Sequence, residues 1–148
     1  AKAIRVVASM ELGRRRQADG HLKVNIIKSS KDIYILLLSD LSDLISEEFW
    51  VIFLNHRNKI IGKKRISSGG LTATVVDVRI LFKEAIERLA TAIVIAHNHP
   101  SGTLKPSRAD IQLTQKIKNA SKLLDIQLLD HLIVADSGYY SFADDGCL

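Results

Sequence analysis

Two histidines one residue apart close an apolar run in "IVIAHNHPSGTLKPSRAD" (Ile93 to Asp110), and a carboxylate follows eleven residues after the second. Imidazole nitrogens and a carboxylate oxygen suit zinc. Three such protein ligands leave the fourth position of a tetrahedral ion open for water, as catalytic rather than structural sites do. In that setting the water's pKa falls to about 7, so hydroxide is available near neutral pH. His97-x-His99 alone is a weak pattern, often accidental, so the surrounding elements must show whether His97, His99 and Asp110 can meet.

Side chains at i and i+2 of a strand point the same way. "TAIVIA" (residues 91–96) is a short continuous apolar run suited to a strand buried on both faces, and His97 and His99 face one ion if that strand persists to His99. Pro100 and Gly102 then turn the chain. Ser107-Arg108-Ala109-Asp110 reads as a helix start, which fixes Asp110 in the first turn. The same residues make an N-terminal capping pattern, with Ser107 as cap and Asp110 three residues on. The two roles can coexist for Ser107 and compete for Asp110 if its carboxylate turns back to the backbone.

Around this centre, "SSKDIYILLLSDLSDLI" is helical, with Ser29 or Ser30 as cap. "EEFWVIFLN" and "KIIGKKRIS" are strands joined by the short hairpin "HRN", and "SSGGL" is a glycine-rich loop. "DVRILFKEAIERLA" is amphipathic, with Val78, Leu81, Phe82, Ala85, Ile86 and Leu89 on one face. A helix from Ser107 to about Leu124 turns Ile111, Thr114, Ile117, Ala120 and Leu124 inward. "QLLDHLIVA" and "GYYSF" are further strands. Alternating helices and strands in the second half imply an α/β fold, with helices packed on a mixed sheet.

The 148 residues suit one domain with a real core, and 47% hydrophobic with 25% charged residues is ordinary globular composition. No apolar run is long enough to span a bilayer and no signal-peptide pattern is present, so the expected compartment is cytoplasmic. The single cysteine, Cys147, can form no internal disulfide. The net charge of +5 is uneven: residues 1–31 hold eight basic and two acidic side chains, a net of +6, and the remainder nets −1. "GRRRQADG" can contact nucleic-acid phosphates weakly and without regard to sequence. A solvated linker or helix end accounts for it better, since charge density alone carries little specificity. His21 and His56 read as surface residues.

The spacing H-N-H-P, seven residues after the second histidine, then S-x-x-D, resembles the JAMM motif of JAB/MPN-domain metallopeptidases. "HNHPSG", "PSRAD" and "LLDHLIVA" are closer still to the bacterial RadC family, and the likeness runs from about Ser29 to Gly146. The resemblance implies a JAB/MPN-like, cytidine-deaminase-like architecture, with Zn2+ held by His97, His99 and Asp110. It implies a glutamate from an early strand as general base. "SEEFWVIFL" offers Glu47 and Glu48; RadC-like sequences place the glutamate directly before the phenylalanine, which selects Glu48, whereas alternation does not decide because both strand faces are apolar. Ser107 matches the motif serine, implied to donate to the developing oxyanion. His131 also matches the family, with no ligand role in the JAMM pattern; a packed histidine hydrogen-bonded near Asp130 is the expectation. "AKAIRVVASMELGRRR" resembles the last helix of the helix-hairpin-helix region that precedes this domain. Residues 1–20 are therefore expected to be a remnant of that region with a linker, and residues 21–148 the metal-binding domain.

Three functions are compatible with these residues. The first is hydrolysis of an amide bond in an unknown protein or peptide, by a zinc peptidase or isopeptidase of a family named for DNA repair. The second is a non-catalytic DNA- or protein-binding module with a structural or vestigial metal. The third, metal-assisted phosphodiester hydrolysis, would favour more carboxylates, because Mg2+ prefers oxygen ligands.

Overall fold

The computed structural model describes residues 25–69 and 76–148. The expected helix-hairpin-helix remnant at 1–20, the linker and the second half of the glycine-rich loop lie outside the described residues.

Ser29, in extended conformation, caps helix α1 (Ser30–Leu41). Its side chain accepts from the Asp32 amide while the Asp32 carboxylate accepts from the Ser29 amide, a reciprocal capping box. The helix stops at Leu41, short of the Ile45 end that the apolar pattern predicts, and Ser42 returns to extended backbone. Ile33, Leu37 and Leu41 form its buried stripe; burying each stabilises by roughly 1.5–3 kcal/mol before ordering costs. Strands β1 (Glu48–Leu54) and β2 (Ile60–Ser68) form the expected hairpin. Helix α2 (Val78–Glu87), strand β3 (Ala92–Asn98), helix α3 (Arg108–Leu123), strand β4 (Gln127–Ala135) and strand β5 (Gly138–Ser141) complete the order.

The five strands run β2-β1-β3-β4-β5 in a mixed sheet: only β3 and β4 are parallel, and α3 makes the crossover between them. Every residue of β3 is buried, which accounts for its unbroken apolar run. On one face, Phe49, Val51, Phe53, Ile93 and Ile95 meet Leu81, Phe82 and Ala85 of α2 and Ile117 of α3. On the other, Ile52, Leu54, Val94, Ala96, Leu132 and Val134 meet the α1 stripe. The result is a sheet with two helices on one side and one on the other, an α/β fold of the JAB/MPN-like kind.

The helix faces match those that periodicity predicts in their middles and depart from them at their ends. Ile86 is half exposed and Leu89 is exposed, because Arg88 ends α2 and Leu89 turns to φ 54°. In α3 the buried residues are Thr114, Ile117 and Ser121, while Ile111 and Leu124 are substantially exposed. Thr114 and Ile117 are buried as expected, and Ser121 is buried in addition; Thr114 bonds a buried histidine.

Between Ile93↔Leu128 and Val94↔Asp130, β4 carries one extra residue, so alternation restarts and His131 lies opposite Ile95. A one-residue slip exchanges the two faces of a strand; this irregularity is what turns His131 toward the α2–α3 side. Asp130, also buried, does not bond the His131 ring. Its carboxylate accepts from the His131 amide at 2.7 Å, the Ser141 hydroxyl at 2.7 Å and the Ala143 amide at 3.0 Å, fastening the end of the chain to β4. Burial raises its pKa against these three bonds. Asp130→Ala leaves buried donors without an acceptor and should cost about 2–4 kcal/mol. The midpoint of urea unfolding measures this, and an unchanged midpoint would show that the clamp contributes nothing.

Candidate metal centre

The β1–β3 register decides which side chains converge. Phe49 lies opposite His97, so the residues sharing the Phe49 face share the His97 face. His99 lies just beyond β3, yet its amide donates to the Val134 carbonyl at 2.9 Å, which extends the pairing by one residue and keeps both imidazoles on one side. Asn98, between them, points to the other face, where its side chain bonds the Glu48 amide and the Ser46 carbonyl. Gly102, at φ 80°, lets the turn close with its amide on the His99 carbonyl. The same turn returns the Thr103 carbonyl to 2.8 Å from His99 Nδ1.

Asp110 serves two partners at once. Ser107 Oγ accepts from the Asp110 amide at 3.1 Å, and Asp110 Oδ2 accepts from the Ser107 amide at 2.7 Å. This capping box fixes the carboxylate rather than withdrawing it. Oδ1 lies 3.2 Å from His97 Nε2, Oδ2 lies 3.5 Å from His99 Nε2, and the two Nε2 atoms are 3.0 Å apart. Donors 2.0–2.1 Å from a tetrahedral zinc stand about 3.3–3.4 Å from one another, so the spacing of this donor set fits such an ion. Among the described residues no other group of histidine, cysteine and acidic side chains converges in this way.

The second nitrogens of both rings are engaged. A carbonyl only accepts, so His99 carries its proton on Nδ1 and its neutral ring presents a bare Nε2. His97 Nδ1 lies 2.8 Å from His131 Nε2. His131 is fully buried and stacked on Phe142, and burial holds its pKa well below the usual imidazole range, so the ring is neutral. Burial works to raise the Asp110 carboxyl, but His97 and His99, when their rings carry a proton on Nε2, together with Ser107 outweigh it and hold the group well below the usual carboxylate range. The bond to Asp110 raises His99, with smaller contributions from the Thr103 carbonyl and the charge of Glu47.

These groups line a cavity of about 450 Å3 that also includes Glu47, Phe49 and Ser107. Glu48 is not there. Alternation from the Phe49–His97 pairing sends it to the opposite face, where its carboxylate takes the Trp50 indole N–H at 3.0 Å and Arg65 at 2.7 Å. Glu47 is the glutamate on the site side; its carbonyl accepts from the Gly69 amide, so the strand geometry reaches back to it. The structure thereby places Glu48, the expected base, away from the histidines, for a reason that no local pattern contains: the register of β1 against β3. Ser107 stands where expected. Accepting through Oγ does not consume its hydroxyl proton. His131 and Thr114, bonded behind His97, are residues that sequence reasoning did not place at the site; a histidine inside an apolar strand was the available signal.

A larger cavity, about 660 Å3, lies between the end of α3 and β4, lined by Lys118, Lys122, Asp125 and Leu148. It is remote from the histidines, and the chemistry-bearing residues are in the smaller one.

The model of the RadC-like JAB domain matches residues 27–147. The chain belongs to the RadC-like JAB domain family. A UPF0758 protein of Flavobacterium johnsoniae is 51% identical over 146 residues, covering 99% of this chain and 64% of the relative. One from Porphyromonas gingivalis is 47% identical over 149 residues, covering 100% and 66%. A third, from Caldanaerobacter subterraneus, is 40% identical over 150 residues. The chain spans a little under two thirds of the length of these relatives. In this RadC-like JAB domain, no helix among the described residues is long and apolar enough to cross a membrane.

The His97→Ala/His99→Ala double variant should bind no zinc in a chelator competition assay, against one ion per wild-type chain. The raised pKa of His99 fixes the pH dependence. In the metal-free protein its proton stabilises the fold at low pH, and that contribution is lost as pH rises through the raised value. An ion competes for the same Nε2, so affinity should climb from mildly acidic to mildly alkaline pH; a flat profile would exclude His99 as a ligand.

Proposed function

We propose that this RadC-like JAB domain is a zinc-dependent hydrolase of amide bonds in a protein or peptide. The observation that carries the reading is the convergence of His97 Nε2, His99 Nε2 and Asp110 Oδ1, each within 3.5 Å of another donor, in a cleft that also holds Glu47 and Ser107. A bound zinc supplies Lewis-acid polarisation of the carbonyl and lowers the pKa of a water to about 7.

The chain's own residues supply the remainder. Glu47 is the general base: it takes the proton of the attacking water and hands it to the departing amine. Ser107 donates its hydroxyl to the carbonyl oxygen as negative charge develops there, a contact worth more in the transition state than in the substrate. The Ser107 amide donates to Asp110 Oδ2 and keeps the carboxylate in place. Phe49 and Leu113, on the cavity wall, keep the site partly apolar, which strengthens each of these charge interactions.

The test compares two neighbouring carboxylates. Glu47→Gln should keep zinc and lose about 10²- to 10⁴-fold in rate, the usual cost of removing general acid–base catalysis. Glu48→Gln should retain most of the rate and show reduced stability, because its bonds to Arg65 and Trp50 are structural. A mass-spectrometric peptide-library screen for new amino termini supplies the substrate. The reverse ranking of the two variants would remove Glu47 from the mechanism.

A further inference from the structure

Behind the ligands lies a chain of hydrogen bonds whose direction is dictated from one end. Thr114 Oγ1 is 2.6 Å from the backbone carbonyl of Asp110. A carbonyl cannot donate, so the single hydroxyl proton of Thr114 goes there. The same Oγ1 is 2.6 Å from His131 Nδ1. Its proton spent, the hydroxyl accepts, which places the His131 proton on Nδ1 and leaves Nε2 bare. That Nε2 is 2.8 Å from His97 Nδ1. His97 in turn carries its proton on Nδ1 and presents the lone pair of Nε2 toward His99 and Asp110.

A ligating histidine commonly donates its second N–H to a carboxylate or a carbonyl, either of which only accepts and so fixes the tautomer directly. Here the partner is another neutral histidine, which could run the bond in either direction. Only the Thr114–Asp110 link removes that freedom. We propose that His131 and Thr114 are positioning residues for the metal centre, locking His97 in the tautomer whose Nε2 can ligate and anchoring that lock on the backbone of the third ligand. The proposal rests on the metal reading above. It also ties β3, β4 and the first turn of α3 together at the site, so the three donors are held as a set. With His99 fixed by Thr103, two bare nitrogens 3.0 Å apart face one carboxylate, an arrangement that favours a cation between them.

The experiment uses ¹⁵N-labelled, metal-free protein at mildly alkaline pH. Long-range ¹H–¹⁵N correlation spectra read the tautomer of each histidine, and chelator competition reads zinc affinity. Wild type should show His97 and His131 protonated at Nδ1. Thr114→Val, nearly isosteric, should release the His131 tautomer, populate the Nε2–H form of His97 and weaken zinc binding by about 10- to 100-fold. Thr114→Ser should restore both readouts. Wild-type His97 protonated at Nε2, or weaker binding in Thr114→Val with both tautomers unchanged, would overturn the proposal. Relay tautomers in a wild type that takes up no zinc would overturn the metal reading, and this role with it, a failure the spectra separate from failure of the relay itself.

Discussion

The pairing register of β3 between β1 and β4 is the constraint on which the rest of the structure depends. Because Phe49 sits opposite His97 and His131 sits opposite Ile95, one face of three strands collects Glu47, Phe49, His97 and His131. His99 joins them through its amide bond to Val134. A one-residue slip of β1 would exchange Glu47 for Glu48. The apolar contacts on both faces hold this register, since every side chain from Val51 to Leu54 and throughout β3 is buried.

The helix that follows is used at its end rather than along its face. Asp110 occupies the N3 position of a capping box, so helix formation and placement of the third donor are one event. This economy concentrates polar groups in a buried region, where each needs a partner. The partners are present: Thr103 for His99, His131 for His97, Thr114 for His131 and the Ser107 amide for Asp110. An ion that bound only the folded chain would also stabilise it, by about 4 kcal/mol at a concentration a thousandfold above its dissociation constant.

Much of this was legible in the sequence, and the exceptions are physical. The strand ending in His97-x-His99, the turn at Pro100 and Gly102, and the Ser107 cap are local patterns with local causes. Which glutamate lines the cavity was not legible, because Glu47 and Glu48 differ only in which face they take, and that depends on a strand more than forty residues away. The inner face of α3 was read correctly at Thr114 and Ile117 and misread at Ile111 and Leu124, which lie at the ends of the helix and are exposed. His131 read as core, and it is buried; its role depends on the extra residue of β4 that turns it toward His97. Membership in the RadC-like JAB domain family rests on residues 27–147, the part that builds this site.

X-ray absorption at the zinc edge tests the central claim most directly, because it counts and identifies donors without a substrate. The account predicts a four-coordinate ion with two imidazole nitrogens and two oxygen donors at about 2.0–2.1 Å, one oxygen exchangeable with solvent. A shell containing sulfur, a shell of oxygen alone, or a spectrum unchanged when His97 and His99 are both replaced would contradict it.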